Sequence, residues 1–307
     1  MEHITDIYKY NPQPCVATIG SFDGVHLGHR AMLEELRAYA SGAGLPLMAV
    51  TFARHPRLLF DGNCEPFLLT SNSQKVALLA SAGADIVAEL DFDTLMADMS
   101  AERFMKEILR ERLGVKLLAI GYDHHFGKPC DGEGFECYAE YGKKLGIEVV
   151  KLSPFAVDGI VVSSSVVRRA LVAGDLTLAY KALGHSYVLE GTVVHGAGIG
   201  RRMGFPTANL LPAEEMMLLP ADGVYEVLSR IGSACHKGVM NIGVKPTVDN
   251  NRLRTIEVHL LDFSGDIYGK SVSVEFVRRL RGEQHFENIE ALCSQIEKDV
   301  ARVRNGI

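Results

Sequence analysis

Residues 15–29 read CVATIGSFDGVHLGH. An unbroken apolar run comes first, then a loop of small and polar residues from Gly20 to Gly24, then a stretch carrying His26, Gly28 and His29. That order is strand, loop, helix, the repeating unit of an α/β sheet. Outward from it the same grammar continues to about residue 180. Apolar runs PLMAVTF (46–52), KLLAIG (116–121) and IEVVKL (147–152) alternate with amphipathic stretches near 28–41, 73–82, 101–113 and 135–145. In the stretch 101–113, Phe104, Ile108, Leu109 and Leu113 share a helical face behind Ser100 as N-cap, with Arg103 where a capping box has Glu.

From about residue 186 the period changes to two. YVLEGTVV, GVYEVLSR, CHKGVMNIG, TIEVHLLDF and SVSVEFVRR are separated by Gly, Asn, Asp and Ser turns, the pattern of an antiparallel sheet or barrel. A final helix is expected after Asn288, with Ile289, Leu292, Ile296, Val300 and Val303 as its apolar stripe. The switch falls at Leu183–Gly184, so two domains are expected, 1–184 and 185–307. The 307 residues are about twice the roughly 100–200 of one domain. The expected fold is a Rossmann-like α/β domain followed by an all-β barrel with a terminal helix.

Composition narrows the function. Hydrophobic residues make up 47% and charged residues 23%, which excludes a disordered or collagenous chain. The net charge is −6. Residues 1–184 hold 18 Lys and Arg against 23 Asp and Glu, and residues 185–307 hold 14 against 15. Neither half has the basic surface that gripping nucleic acid needs. No apolar run approaches the roughly 20 residues of a membrane span. MEHITDIYKY places Glu2 and Asp6 where a signal peptide is basic and then apolar, so a cytoplasmic protein is expected. The six cysteines contain no CxxC pair and are expected to be buried thiols of a reducing compartment. His124, His125, Cys130 and Cys137 lie close in sequence, but their spacing fits no zinc pattern. Oligomeric state leaves no mark on the sequence.

Two stretches carry chemistry. The loop Gly20-Ser21-Phe22-Asp23-Gly24 leads to a helix start at the carboxyl end of a strand, where unpaired N–H groups and the helix dipole favour an anion. His26 and His29, three apart, lie on the same side of the first turn, and Gly28 allows a flat base to approach the backbone. An arbitrary HxxH is more often two idle helix residues. The context here is longer: the stretch resembles the HxGH signature of nucleotidyltransferases, and with the preceding loop it is similar to the adenylyltransferase module of bacterial bifunctional riboflavin kinase/FAD synthetases. Thr51-Phe52-Ala53-Arg54-His55-Pro56 is similar to that family's second-strand motif, and Gly121-Tyr122-Asp123 with Phe126-Gly127-Lys128 to its flavin and nucleotide loop. His124 stands where the family usually has an aromatic residue. Ser163-Ser164-Ser165-Val166-Val167-Arg168 resembles the family's SSTxxR motif, with Ser165 in place of Thr. The resemblance implies ATP or phosphate binding at Gly20, Phe22, Asp23, Gly28, Ser164, Ser165 and Arg168, flavin binding at Asp123, and transition-state stabilisation by His26 and His29.

The second stretch is HGAGIGRRMGFPTAN, residues 195–209. Its glycines let backbone N–H groups turn inward around phosphate, and Thr207 and Asn209 supply neutral hard oxygens of the kind that share Mg²⁺ with a nucleotide. Alone, it is a glycine turn whose Thr and Asn bond their own backbone. There is no GxxxxGK[ST] P-loop. The GRxxGFPTAN string resembles the ATP and Mg²⁺ motif of riboflavin kinases. Gly223-Val224-Tyr225, Asn241-Ile242-Gly243 with Pro246-Thr247, Glu257-Val258-His259 and Arg281 with Glu283 and Phe286 follow in the family's order. The resemblance implies nucleotide contacts at Gly198, Gly200, Arg201, Gly204, Pro206, Thr207 and Asn209, with Thr207 and Asn209 on Mg²⁺. It also implies Glu257 as general base, and Arg281 and Phe286 against the flavin.

The expected activity is therefore phosphorylation of riboflavin to FMN and adenylylation of FMN to FAD, with ATP as co-substrate, Mg²⁺ as cofactor, and small molecules as the only expected partners. An HxGH enzyme with another acceptor would lack the second motif set, and a flavin sensor without turnover would have degraded catalytic positions. A tRNA-charging enzyme would carry a KMSKS-like loop and a basic surface.

Overall fold

A strand covered on both faces is apolar at every position, and the run that opens the sequence behaves so. The computed structural model describes residues 1–61, 64–121, 126–128, 134–196, 198–245 and 253–306. Its packing forms two compact units, one of residues 1–65 with 72–163 and one of residues 66–71 with 164–307.

In the first unit a short strand Glu2–Ile4 (β1) precedes Cys15–Ile19 (β2), which is buried throughout. Then follow helix Leu27–Ala43 (α1), Leu47–Phe52 (β3), Arg57–Phe60 (α2), Asn72–Ser81 (α3), Ile86–Leu90 (β4), Thr94–Ala97 (α4) and Ala101–Phe104 (α5). Helix α5 widens into a π-helix over Met105–Arg112, before Val115–Ile120 (β5), Phe135–Leu145 (α6), Glu148–Lys151 (β6) and a small hairpin Ala156–Val157 (β7), Ile160–Val161 (β8). The sheet order is β1-β4-β3-β2-β5-β6, and every pairing in it is parallel.

Alternation along β2 explains the layers. Val16 packs with Leu33, Leu36 and Ala40 of α1 on one face, while Cys15, Ala17 and Ile19 pack with Phe104, Ile108 and Leu109 on the other. Each of these buried aliphatic side chains contributes about 1.5–3 kcal/mol. Burial also pushes the Cys15 thiol up to about 12. Ser100 caps α5 as expected, accepting from the Arg103 N–H at 3.3 Å, and Arg103 itself pairs with Glu107 at 2.8 Å. In this unit strands β1, β4, β7 and β8 are missing from the sequence reading, β4 because its Glu89 breaks the apolar run. That carboxylate is 6% exposed and is met by His3 at 2.7 Å.

In the second unit two helices, Ser164–Ala173 (α7) and Leu176–Leu183 (α8), lead to Val188–Val194 (β9), a short helix Ile199–Arg202 (α9), Ala208–Pro212 (β10), Gly223–Ile231 (β11), Ala234–Lys245 (β12), Leu253–Leu260 (β13), Ser271–Arg281 (β14) and Ile289–Asn305 (α10). The strands close into an antiparallel barrel, β10-β13-β12-β11-β14-β9. Ile256, Val258 and Leu260 point inward, and Glu257 and His259 are half-buried on the opposite face.

Three expectations need adjustment. Compaction divides the chain at residue 163 rather than 184, because α7 and α8 pack on the barrel: the Ala221 N–H donates to Leu171 O at 2.9 Å, and the Arg279 side chain lies against Gly174. Residues 66–71 join the same unit, with the Phe67 and Leu68 N–H groups donating to Met216 O at 2.9 and 2.8 Å and the Leu218 N–H to Leu68 O at 2.9 Å. The stripe of α10 is shorter than expected: Val303 is buried and Ile289 is 64% exposed, while Asp299 takes a core-facing position. Of the described cysteines, all free, only Cys15 is fully buried, and Cys235 is exposed. No helix among the described residues is long and apolar enough to cross a membrane.

Candidate active sites

A parallel sheet offers its ligand crevice where the strand order reverses. From β2 the chain builds outward through β3 and β4, then returns to place β5 and β6 on the other side of β2. The reversal lies between β2 and β5, and the Gly20–His29 loop leaves β2 at that point. Phe22 and Val25 hold the loop down. Both have left-handed backbones (φ 49° and 37°) and both side chains are buried in the core under α1. Burial offsets a conformational cost of about 1–3 kcal/mol each.

His26 then caps α1, with its Nδ1 accepting from the His29 N–H at 3.4 Å. That acceptor role leaves Nε2 as the nitrogen that donates. The two imidazoles stack at 3.6 Å with 19° between planes, and the edge of Phe22 meets His29 at 5.1 Å. Asp23 is 3% exposed. A Cβ on Gly28 would lie 3.1 Å from His26 Nδ1 and 3.4 Å from Val162 O. The Cβ-less side of Gly28 lets the His26 imidazole lie close to the helix backbone. Next to the loop, Thr51 Oγ1 donates to Ser21 O at 3.3 Å, and the buried Lys75 donates to Phe52 O at 2.6 Å. Lys75 was not read from the sequence, where a helical Lys is ordinarily a surface residue.

The loop after β5 is described only in part. Asp123 lies outside the described residues, as do His124, His125 and Cys130. Phe126 stacks on Tyr138 at 4.5 Å and Lys128 pairs with Asp98 at 2.9 Å. Ser164 opens α7 in the second unit and Ser165 is exposed. Arg168 donates from Nε to Phe67 O at 2.8 Å and lies 5.4 Å over the Phe67 ring, within that same unit.

In the barrel, strand register builds the second site. Asn209 on β10 stands opposite Glu257 on β13, which stands opposite Asn241 on β12. Directly opposed residues of antiparallel strands share a face, so a carboxylate lies between two amides in one row. Thr207 Oγ1 donates to Glu257 Oε2 at 3.2 Å. His259, two residues along β13, donates from Nδ1 to Pro206 O at 2.8 Å and so ties the Pro206–Thr207 corner to the strand. The glycine loop fits against these groups. A Cβ on Gly196 would fall inside the Asn209 amide, and one on Gly200 would strike Phe205 O. Gly198 and Gly204 take left-handed backbones, φ 67° and 85°.

A cavity of about 500 Å³ opens next to Thr207, lined by Arg201, Pro206, Val258, Leu260, Phe263 and Tyr268 among others. That is nucleotide size. Among the described residues no three His, Cys, Asp or Glu side chains form a metal cage. Thr207, Asn209 and Glu257 suit Mg²⁺ nonetheless, because it takes few protein oxygens and completes its shell with phosphate and water. At the end of β14, Arg281 meets Asp299 of α10 at 2.8 Å and lies 5.7 Å over the Phe286 ring. In the sequence, Asn241 and His259 are read only within motif strings, and strand pairing is what sets Asn241 opposite Glu257 and His259 two residues along the same strand. The period-two pattern could have aligned both with Glu257.

Comparison with known proteins divides the chain similarly. The family model described as FAD synthetase matches residues 8–166, and the one described as riboflavin kinase matches residues 183–307. A bifunctional riboflavin kinase/FMN adenylyltransferase of Escherichia coli (strain K12) is 38% identical over 309 residues, covering 99% of this chain and 97% of its own. The Haemophilus influenzae protein of the same name is 40% identical, covering 94% of this chain and 92% of its own. The crystal structure of a protein called a macrolide-efflux protein, from Streptococcus pneumoniae, matches with a TM-score of 0.86 at 28% identity, over 99% of this chain and 98% of its own.

Proposed function

Because this chain belongs to the bifunctional riboflavin kinase/FMN adenylyltransferase family and so makes FMN from riboflavin and FAD from FMN, we propose which of its residues perform each step. Phosphorylation is assigned to residues 185–307 and adenylylation to residues 1–184. The observation that carries the kinase assignment is the Thr207–Glu257 hydrogen bond at 3.2 Å, within a row that includes Asn209. Glu257 takes the proton of the terminal ribityl hydroxyl as that oxygen attacks the γ-phosphorus of ATP and ADP departs. Thr207 and Asn209 would hold Mg²⁺ together with the nucleotide phosphates, and the ion would supply charge to offset that building on the transferring group. Gly198, Gly200, Arg201, Gly204 and Pro206 cradle the nucleotide. Arg281 and Phe286 hold the flavin.

In the second reaction a phosphate oxygen of FMN attacks the α-phosphorus of another ATP and pyrophosphate leaves. His26 and His29 lie at the N-terminus of α1, whose dipole adds to the stabilisation of charge on the phosphoryl oxygens. Gly20, Phe22, Asp23 and Gly28 shape that loop, and the likeness to the family motifs supports phosphate contacts for Ser164, Ser165 and Arg168 and a flavin contact for Asp123. The acidic net charge of −6 accords with small-molecule substrates and a cytoplasmic enzyme. The test supplies purified protein with riboflavin, ATP and Mg²⁺ and follows both flavins by chromatography. Asn209→Ala is expected to stop FMN formation and spare FMN-to-FAD conversion, and His29→Ala to do the reverse. Loss of both steps from either change in a folded protein would overturn the assignment of one site to each half.

A further inference from the structure

Asp299 is a buried charge that neither reaction uses. It is 1% exposed, on the face of α10 that turns to the barrel. Its Oδ2 accepts from Arg281 Nε at 2.9 Å and lies 2.8 Å from Nη2 as an ion pair, and its Oδ1 accepts from Gln295 Nε2 at 2.9 Å. Arg281 Nη1 donates to Gly282 O at 3.2 Å, and the guanidinium lies over the Phe286 ring at 5.7 Å. The Nε N–H and one N–H of Nη1 are hydrogen-bonded inside the protein, so Nη1 keeps a second N–H that can donate to a ligand.

Docking of the helix does not require this pair. Val303 and Val300 already pack against Val224, Val239 and Leu261, and a buried ion pair is seldom more stabilising than apolar residues of its size. What the pair supplies is a fixed direction for one cation. Register gives that cation its place: Glu257, Asn241, Val224 and Arg281 are opposed in turn across four neighbouring strands. The pair stands at the Gly282 end of β14, beside Phe286.

We propose that Asp299 is the positioning residue of the flavin site: through α10 it aims the Arg281 guanidinium beside Phe286 at the ring end of riboflavin. This rests on reading Arg281 as a flavin contact, and the experiment separates the two ideas. In the full chain, Asp299→Asn is expected to raise the riboflavin KM of the kinase step about tenfold while leaving kcat, the ATP KM and the FMN-to-FAD rate within about twofold. Val300→Ala loosens the same helix without touching the pair and is expected to lower the melting temperature but not to move the riboflavin KM. Arg281→Lys keeps the charge and loses the fork, so it is expected to raise the riboflavin KM to a similar degree, with no further rise in the double variant. An unchanged KM in Arg281→Lys would remove Arg281 from the flavin site. A raised KM there with an unchanged KM in Asp299→Asn would overturn the role of Asp299, and so would an equal rise in Val300→Ala. Should Asp299→Asn fail to fold, Gln295→Leu removes only the bond to Oδ1; a rise of about threefold is then expected, and no rise would refute the proposal.

Discussion

Gly28→Ala sets helix propensity against the geometry of one imidazole. Ala is favoured over Gly within a helix by about 0.5–1 kcal/mol. The new Cβ, however, would lie 3.1 Å from Nδ1 and 3.2 Å from Cε1 of His26, with Val162 O at 3.4 Å. The methyl cannot retreat from the ring without meeting that carbonyl, so the His26 ring shifts by a few tenths of an ångström. Its bond from the His29 N–H is already long at 3.4 Å and would be lost, at about 0.5–1 kcal/mol for a weak cap. The two terms nearly cancel, and the melting temperature is expected to stay within about 2 °C. Catalysis has no such compensation. The stacked pair of imidazoles loses its arrangement, and since a displacement of about 1 Å can cost about 100-fold, one of a few tenths is expected to lower FMN-to-FAD turnover about 3- to 10-fold. The assay measures FAD formation from FMN and ATP, then FMN formation from riboflavin in the same preparation, where a change below twofold is expected. Undiminished FAD synthesis would refute the reasoning, and so would a fall in melting temperature above about 5 °C, which would make the glycine a packing requirement.

Three further outcomes are expected. Glu257→Gln keeps shape but not basicity, so the kinase kcat should fall about 10²- to 10⁴-fold with adenylylation untouched, as read from initial rates of each step. Gly196→Ala should displace the Asn209 amide and reproduce the Asn209→Ala phenotype in the same two assays. The third concerns pH. The Cys15 thiol is pushed up to about 12 by burial, whereas an unfolded thiol titrates near 8.5. The stability this group contributes is therefore complete below about pH 8.5 and is lost as pH rises from there toward 12. Between pH 7.5 and 9.5, urea unfolding should show wild type losing about 1.4 kcal/mol more than Cys15→Ala, and parallel losses in the two proteins would contradict the burial argument.

The sequence made some of this structure legible and left the rest hidden for physical reasons. Strands β2, β3 and β5 could be read because both faces are covered and their residues are mostly apolar, Lys116 of β5 being the exposed exception. Strand β4 hides because Glu89 interrupts its apolar run, and its partner His3 is 86 residues away. Strand β10 hides because its five residues follow directly on the PTA corner. The motif histidines, Thr207, Asn209 and Glu257 were legible as residues, but their juxtaposition is a matter of register, so Asn241 and His259 join them only once the strands are paired. Asp299 could have been noticed. It falls three residues after Ile296 and four before Val303, on the apolar side of α10, where a carboxylate demands a partner.

The chain crosses between its two folding units more than once. Residues 66–71 interrupt the first unit to bond with 216–218, and Ser71 Oγ donates to Glu190 Oε2 at 2.8 Å. No single cut therefore yields two complete halves. A fragment beginning at residue 185 would carry every kinase motif yet lack the segment that satisfies Met216 O and Leu218 N–H, along with both helices α7 and α8. Either unit cut out at one point would leave behind a segment that the other unit's fold has claimed.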